Sequence, residues 1–332
     1  MSVVRRIVLC VLVTGVLGGC GSPKAAEPAK APAVSVPPAG RVITVGAQAE
    51  GIVADPVTHL VAVGVRDPDR LLLLDGRTGM QSGQVALPGH LRHLDLAAPG
   101  GPVLVPDEDS GSLVSVGLPG GAVLSTVPVG RYPHAAIRTM DGTIAVADEL
   151  GGAFVLIRDG QVVHRFTDVT QPGGVAAVGD QVGVVDVKDR TLALYDTRVP
   201  KRISVVDAGD GPTHMVADRR GHLQVVDTRG NRLLTFEVVP RLREIGSVPL
   251  DGTPYGVAYD DVRDRLWVTL TARNQIVGLD LGGPKPVVVG TLPTVRQPNT
   301  VAVDSATGRI FVAGRTDGTV QLIDPPPSPG GH

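Results

Sequence analysis

The chain has 332 residues, 31 basic against 33 acidic side chains, a formal net charge of −2 and only two cysteines, Cys10 and Cys20. Near-balanced charge with no basic stripe gives no electrostatic attraction to nucleic acid or to anionic lipid. Because both cysteines precede residue 21, the remainder holds no disulfide, thiolate metal site or cysteine nucleophile.

Residues 1–19 read as a signal peptide. Arg5 and Arg6 form a basic n-region, and Ile7–Leu17 is an apolar stretch of eleven residues, too short to span a bilayer. Leu17-Gly18-Gly19-Cys20 follows. Small residues before a cysteine resemble the bacterial lipobox, and that resemblance implies a diacylglycerol on the Cys20 thiol. It also implies an extracytoplasmic protein held at the cell membrane through its lipid anchor only. Residues 20–40 are rich in Pro and Ala without periodicity, a semi-extended tether reaching roughly 60 Å at about 3.1 Å per residue. Arg outnumbers Lys 26 to 5, a composition that points to a high-GC, actinobacterial source.

From 41 to 324 the chain repeats itself. The residue closing the third strand of each copy is Asp75, Gly117, Arg158, Asp196, Glu237, Asp280 and Asp324, with gaps of 42, 41, 38, 41, 43 and 44. The opening positions, Glu50, Leu91, Pro133, Pro172, Pro212, Pro254 and Pro298, drift in step with gaps of 41, 42, 39, 40, 42 and 44. Within a copy, alternating runs such as Val301-Ala302-Val303 and Ile310-Phe311-Val312 are bounded by Asp/Gly turns, the signature of short antiparallel strands. A period of about 40 residues matches a four-stranded propeller blade. The predicted fold is all-β, a seven-bladed β-propeller.

The seventh copy ends after its third strand, and residues 325–332, PPPSPGGH, form a disordered tail that cannot pair. An unpaired edge templates aggregation. Arg41–Gly46 has the pattern of other outer strands, such as Lys201–Val206, and is expected to complete the last blade.

VVDTRGNRLLTFE at 225–237 resembles the NHL repeat, which implies that Asp227, Asn231 and Arg232 organise the turn between strands. VAVDSATGRIFVAGRTDGTVQLID at 301–324 is similar to the YVTN-type repeat of bacterial surface and secreted propellers. These families host scaffolds, receptors, lactonases and quinoprotein-like domains on one frame, so the resemblance implies fold more than function.

Candidate binding residues come from the blade openings, which line a propeller's central channel. They are Glu50, Arg92, His93, His134, His214, Tyr255 and Asn299, with Tyr132 beside them. Three histidines from different blades offer zinc ligands in principle. However, His93 and His214 sit one register away from His134 and are expected to point along the other strand face. The resemblance to lactonase-like propellers implies axial calcium on Glu, Asn and Asp side chains. Only Glu50 and Asn299 supply such oxygens here, far fewer than calcium wants. A second column, Asp107, Asp148, Asp186 and Asp227, is read as turn-capping rather than as a cation site. Trp267, inside an apolar run, is read as packed between blades.

There is no G-x-S-x-G, P-loop, H-E-x-x-H or C-x-x-C-H sequence, hence no catalytic residue and no cofactor is assigned. The expected function is a monomeric binding or scaffold module for a protein or small ligand of the cell envelope. The alternative is a metal-dependent lactonase or hydrolase-type propeller.

Overall fold

A computed structural model describes residues 25–325. Residues 1–24, which include the expected signal peptide and Cys20, and residues 326–332 lie outside the described residues. The repeat builds seven four-stranded antiparallel sheets. Their innermost strands are Ala47–Ala54, Asp95–Leu96, Pro133–Arg138, Pro172–Val178, Pro212–Ala217, Pro254–Asp260 and Pro298–Asp304, in blades 1 to 7. Each inner strand packs beside that of the next blade, and the seventh returns to the first, so the sheets form a ring.

Alternation sends successive side chains to opposite faces of a blade, and each face meets a neighbouring blade. The second and third strands are therefore buried on both sides and mostly apolar, as in Val103–Asp107 and Ser112–Val116. The inter-blade layers are large side chains locked against small ones. Phe154, Phe166 and Tyr195 fill the space between blades 3 and 4, and Phe311 joins Val61, Val63 and Leu72 between blades 7 and 1. Trp267 is 5 % exposed and packs with Ile310 and Val312 between blades 6 and 7, as its apolar run implied.

The ring closes where the sequence left one strand missing. Arg41–Thr44 forms the outer strand of blade 7, antiparallel to Thr319–Ile323, with Arg41 opposite Leu322 and Thr44 opposite Thr319. First and last repeats thus share one sheet, and blade 7 lacks the free edge it would otherwise present.

The aspartate column caps turns and also ties each blade to the linker that leads into it. Asp107 accepts from the Gly89 and Ser110 amides, Asp148 from Arg131 and Tyr132, and Asp186 from Thr170 and Lys188. Asp227 accepts from Asp210, Gly211 and Gly230 and from the Arg232 guanidinium. Asn231 does the same for the linker into the next blade, its carbonyl oxygen taking the amides of Gly252 and Thr253.

Two features bear directly on the channel. Inner strands of blades 1 and 3 to 7 each shift register near the start, where one extra residue bulges out of the ladder. Within the segment expected to be a semi-extended tether, residues 29–32 lie against the ring. Gln297 binds the Ala31 amide and the Ala29 carbonyl, each at 2.8 Å, and Asn274 Nδ2 donates to the Pro32 carbonyl at 3.0 Å.

Candidate axial binding chamber

The bulges decide what reaches the axis. A bulge re-aims side chains that a regular strand would send to alternate faces. His134 is the bulged residue between Pro133 and Ala135, and His214 lies in the bulge between Pro212 and Met215. In blade 2 the inner strand shrinks to Asp95–Leu96, leaving Arg92 and His93 on irregular backbone. The expectation that His93 and His214 face away from His134 is therefore wrong. The three rings converge, with centroids 4.3 Å apart for His93 and His214, 4.5 Å for His93 and His134, and 6.0 Å for His134 and His214. Blade 4 makes room by contributing Gly174. A Cβ there would come within 2.8 Å of the Thr213 carbonyl and 2.9 Å of the His214 Cα, so a side chain would push blade 5 and its histidine away.

The histidines form a waist between two chambers. On one side lies an apolar chamber of about 450 Å³, bordered by His93, His214, Asp95 and residues such as Ile52, Val175 and Val301. On the other side is a polar chamber of about 380 Å³ that includes His134 and His214. Its wall carries Glu50, Arg92, Glu149, Gln171, Tyr255, Asn299 and Arg315, and residues 25–28 and Lys30 of the tether border it as well.

Most of the polar wall is tied into two networks. Asn299 Nδ2 donates to Glu50 Oε1 at 2.9 Å, and Arg315 Nε lies 3.0 Å from Glu50 Oε2. With an amide and a guanidinium on its two oxygens, Glu50 is engaged within the protein rather than arranged with Asn299 as a calcium cradle. In the second network the Arg92 guanidinium bridges Glu108 at 2.7 Å and Glu149 at 2.8 Å. His134 Nδ1 donates to Glu108 at 3.1 Å and lies 3.3 Å from Glu149. Gln171 Nε2 completes the set on Glu149 at 2.8 Å.

Burial alone would discourage the Glu108 charge, but the His134 hydrogen bond and the Arg92 charge outweigh it and hold the carboxyl down to about 2. Burial pushes His93 well below its ordinary value, helped by the charges of His214 and His134. Burial likewise lowers His214 to about 3, with His134 adding to the effect. Both rings are therefore neutral near pH 7. His214 Nδ1 donates to the Tyr255 carbonyl at 3.1 Å, and the Tyr255 ring stands edge-on to it at 4.5 Å.

Of the sequence candidates, Glu50, Arg92, His93, His134, His214, Tyr255 and Asn299 meet at these two chambers. Tyr132 does not border either one; its ring lies 5.4 Å from the Arg92 guanidinium carbon and its hydroxyl 3.1 Å from His90 Nε2, so it buttresses the rim. Glu108, Glu149 and Arg315 escaped the sequence reading. All three occupy one repeat position, the residue after the aspartate column: Arg66, Glu108, Glu149, Val187, Thr228, Thr271 and Arg315. The doubled Asp-Glu at 107–108 and 148–149 was the available signal.

No protein-family model matches the chain, and no curated protein is similar to it. Solved structures are similar in fold. A chain of the Kuenenia stuttgartiensis hydrazine synthase superposes with a TM-score of 0.73 at 17 % identity, covering 84 % of this chain and 96 % of that one. Virginiamycin B lyase from Staphylococcus aureus gives 0.68 at 13 % identity, over 85 % and 99 %. A chain of a mitotic checkpoint complex gives 0.74 at 12 % identity, over 95 % and 99 %. Identities this low establish the propeller fold and nothing about activity.

Proposed function

We propose that this chain is a lipid-anchored, extracytoplasmic propeller that binds a small polar ligand, without catalysis, in the polar axial chamber. The observation that carries the reading is the buried charge network of Arg92, Glu108, His134 and Glu149 bordering an open volume of about 380 Å³. Buried ion pairs rarely stabilise a fold beyond what apolar packing would give. Their concentration at one place in a Val- and Leu-rich interior therefore supports recognition. The volume falls in the usual small-molecule range and is far too small for a folded partner. Glu27, Glu50 and Glu149 face Lys30, Arg92 and Arg315 around the wall, and this balance favours a neutral or zwitterionic ligand.

Native mass spectrometry of the protein taken from its own envelope tests the ligand. A small molecule released on denaturation, and missing from Arg92→Met, is the expected result. Bare protein mass, together with no thermal shift from sugars, amino acids and nucleosides, would reject the reading. The anchor is tested separately: Cys20→Ala should move the protein from the membrane to the soluble fraction.

A second reading, a metal-dependent hydrolase or lyase, is favoured by the three converging imidazoles. Two of the structurally similar proteins are a virginiamycin B lyase and a streptogramin B lyase. It depends on a metal ion held by His93, His134 and His214.

A further inference from the structure

We propose that His93, His134 and His214 form a binding site for a single zinc-class divalent ion at the waist of the channel. Their candidate ligand nitrogens all lie within 4.8 Å of one another. Zinc holds imidazole at about 2.0–2.1 Å, so ligands around one ion sit closer together than this limit allows. Binding therefore has the three rings turn toward a common point from the positions they hold here.

Three further features fit an ion. First, metal-binding imidazoles usually have the second ring nitrogen fixed by a carboxylate or a carbonyl, which sets the tautomer. Two of the three rings are held this way. His134 Nδ1 donates to Glu108, and His214 Nδ1 donates to the Tyr255 carbonyl. In both, Nε2 is left as the nitrogen with a lone pair to offer. Second, the carboxylates Glu108 and Glu149 stand behind His134, where they also hold the Arg92 guanidinium. Third, the position is open on both sides, with a chamber above and below. Three protein ligands with room for a water or a ligand atom is the open arrangement of zinc sites that do chemistry, rather than the closed one of structural sites.

The donor type selects the ion. Three imidazoles suit zinc, copper, cobalt or nickel, whereas calcium and magnesium want oxygen. A neighbouring group, Glu108, His134 and Glu149, also brings ligand atoms together. There the Arg92 guanidinium already bridges both carboxylates and takes the place of a cation. The metal site is independent of whether the polar chamber holds an organic ligand.

Zinc uptake by the purified, chelator-stripped protein tests the proposal, with Co(II) as a spectroscopic probe. We expect about one zinc per chain by elemental analysis after free metal is removed. Co(II) should give the strong visible bands of a four- or five-coordinate site. His93→Gln and His134→Ala should each weaken zinc at least ~100-fold, since loss of even a supporting partner costs 10–100-fold. His93→Gln provides the check on folding, because His93 stands on irregular backbone with chamber space beside it. Retention of the parental circular dichroism with loss of metal supports the site. Absence of stoichiometric zinc in the parent, or equal zinc in both variants, overturns it. Metal is read directly, so a negative result leaves the ligand reading standing, and a missing ligand leaves the metal site standing.

Discussion

Arg92 and Glu108 meet at 2.7 Å inside the ring, the guanidinium Nε donating to a carboxylate whose side chain is wholly shielded from solvent. Each belongs to blade 2, yet the same guanidinium reaches Glu149 of blade 3, so one side chain joins two blades at the axis. Removing one member of such a buried set leaves the others unpaired, a larger penalty than the set's own net contribution.

That geometry predicts acid sensitivity. Glu108 is depressed from 4.5 to about 2 in the folded protein. Its stabilising contribution is thus complete above the unfolded value and is lost as pH falls through about 4.5 toward 2. Thermal unfolding of the parent should weaken over that window. Glu108→Gln should lower stability near pH 7 by about 3 kcal/mol, in line with other broken buried pairs, and flatten the acid slope. A variant as acid-sensitive as the parent would place the titration elsewhere.

Ring closure predicts a second effect. Residues 41–44 pair with 319–322, and Gln321 fastens the same corner by donating to the Ala39 carbonyl at 2.7 Å. Deleting residues 41–44 removes four paired residues, at about 1 kcal/mol of net stability per hydrogen bond. It also exposes the edge of Thr319–Ile323. The deletion should unfold at lower denaturant with a broadened transition and should self-associate. Parental denaturation and a monomeric elution profile would show that closure contributes nothing.

The closure was legible because it concerns backbone pairing. A period, a missing fourth strand and a spare alternating segment are one-dimensional facts, and seven sheets follow from them. Turn chemistry was legible too, since Asp227 and Asn231 act on residues near in sequence and at the neighbouring linker. The site was only half legible. The opening ring could be aligned, but the direction of His93 and His214 depended on bulges, and one inserted residue reverses a face. Glu108 and Glu149 sit beside aspartates whose capping role absorbed the reading of that column. The contact between the tether and Gln297 joins positions 266 and 268 residues apart and has no periodic signal at all.

Asp95 predicts a pH effect of opposite sign. It borders the apolar chamber, and burial raises its carboxyl to about 7, opposed only by the Leu96 amide at 2.7 Å. The folded state therefore holds a proton that the unfolded chain releases near 3.8. Stability falls as pH rises from about 4 to about 7 and levels off above. The shift caps this loss near ~4 kcal/mol at about 1.4 kcal/mol per pKa unit, and water in the channel reduces it, so about 2 kcal/mol is expected. Asp95→Asn should unfold like the parent near pH 4 and be more stable at pH 8. Equal stability at both values would mean the carboxyl is well solvated.

Gln297 makes the last prediction. It is 9 % exposed, adopts a left-handed φ of 57°, and spends both ends of its amide on the tether. Its Nε2 also donates to Asn299 Oδ1 at 3.0 Å, and Asn299 in turn donates to Glu50, so the strap is linked by hydrogen bonds to the chamber wall. Substituting Ala removes the side-chain bonds to residues 29 and 31 while leaving the blade ladder intact. Among the described residues the strap then keeps the bond that the Ala29 amide donates to Thr271 Oγ1 and the one that Asn274 Nδ2 donates to the Pro32 carbonyl. With about 1 kcal/mol lost per hydrogen bond, the segment should open on the order of tenfold or more as often. Hydrogen exchange at the Ala31 amide should speed up by that factor, and limited proteolysis should cut before residue 33 while the ring survives. Because residues 25–28 and Lys30 border the polar chamber, the same variant should admit a small ligand faster without changing the chamber's own residues. Unchanged exchange at Ala31 would show that Gln297 does not hold the strap, and the chamber would then lack the cover ascribed to it.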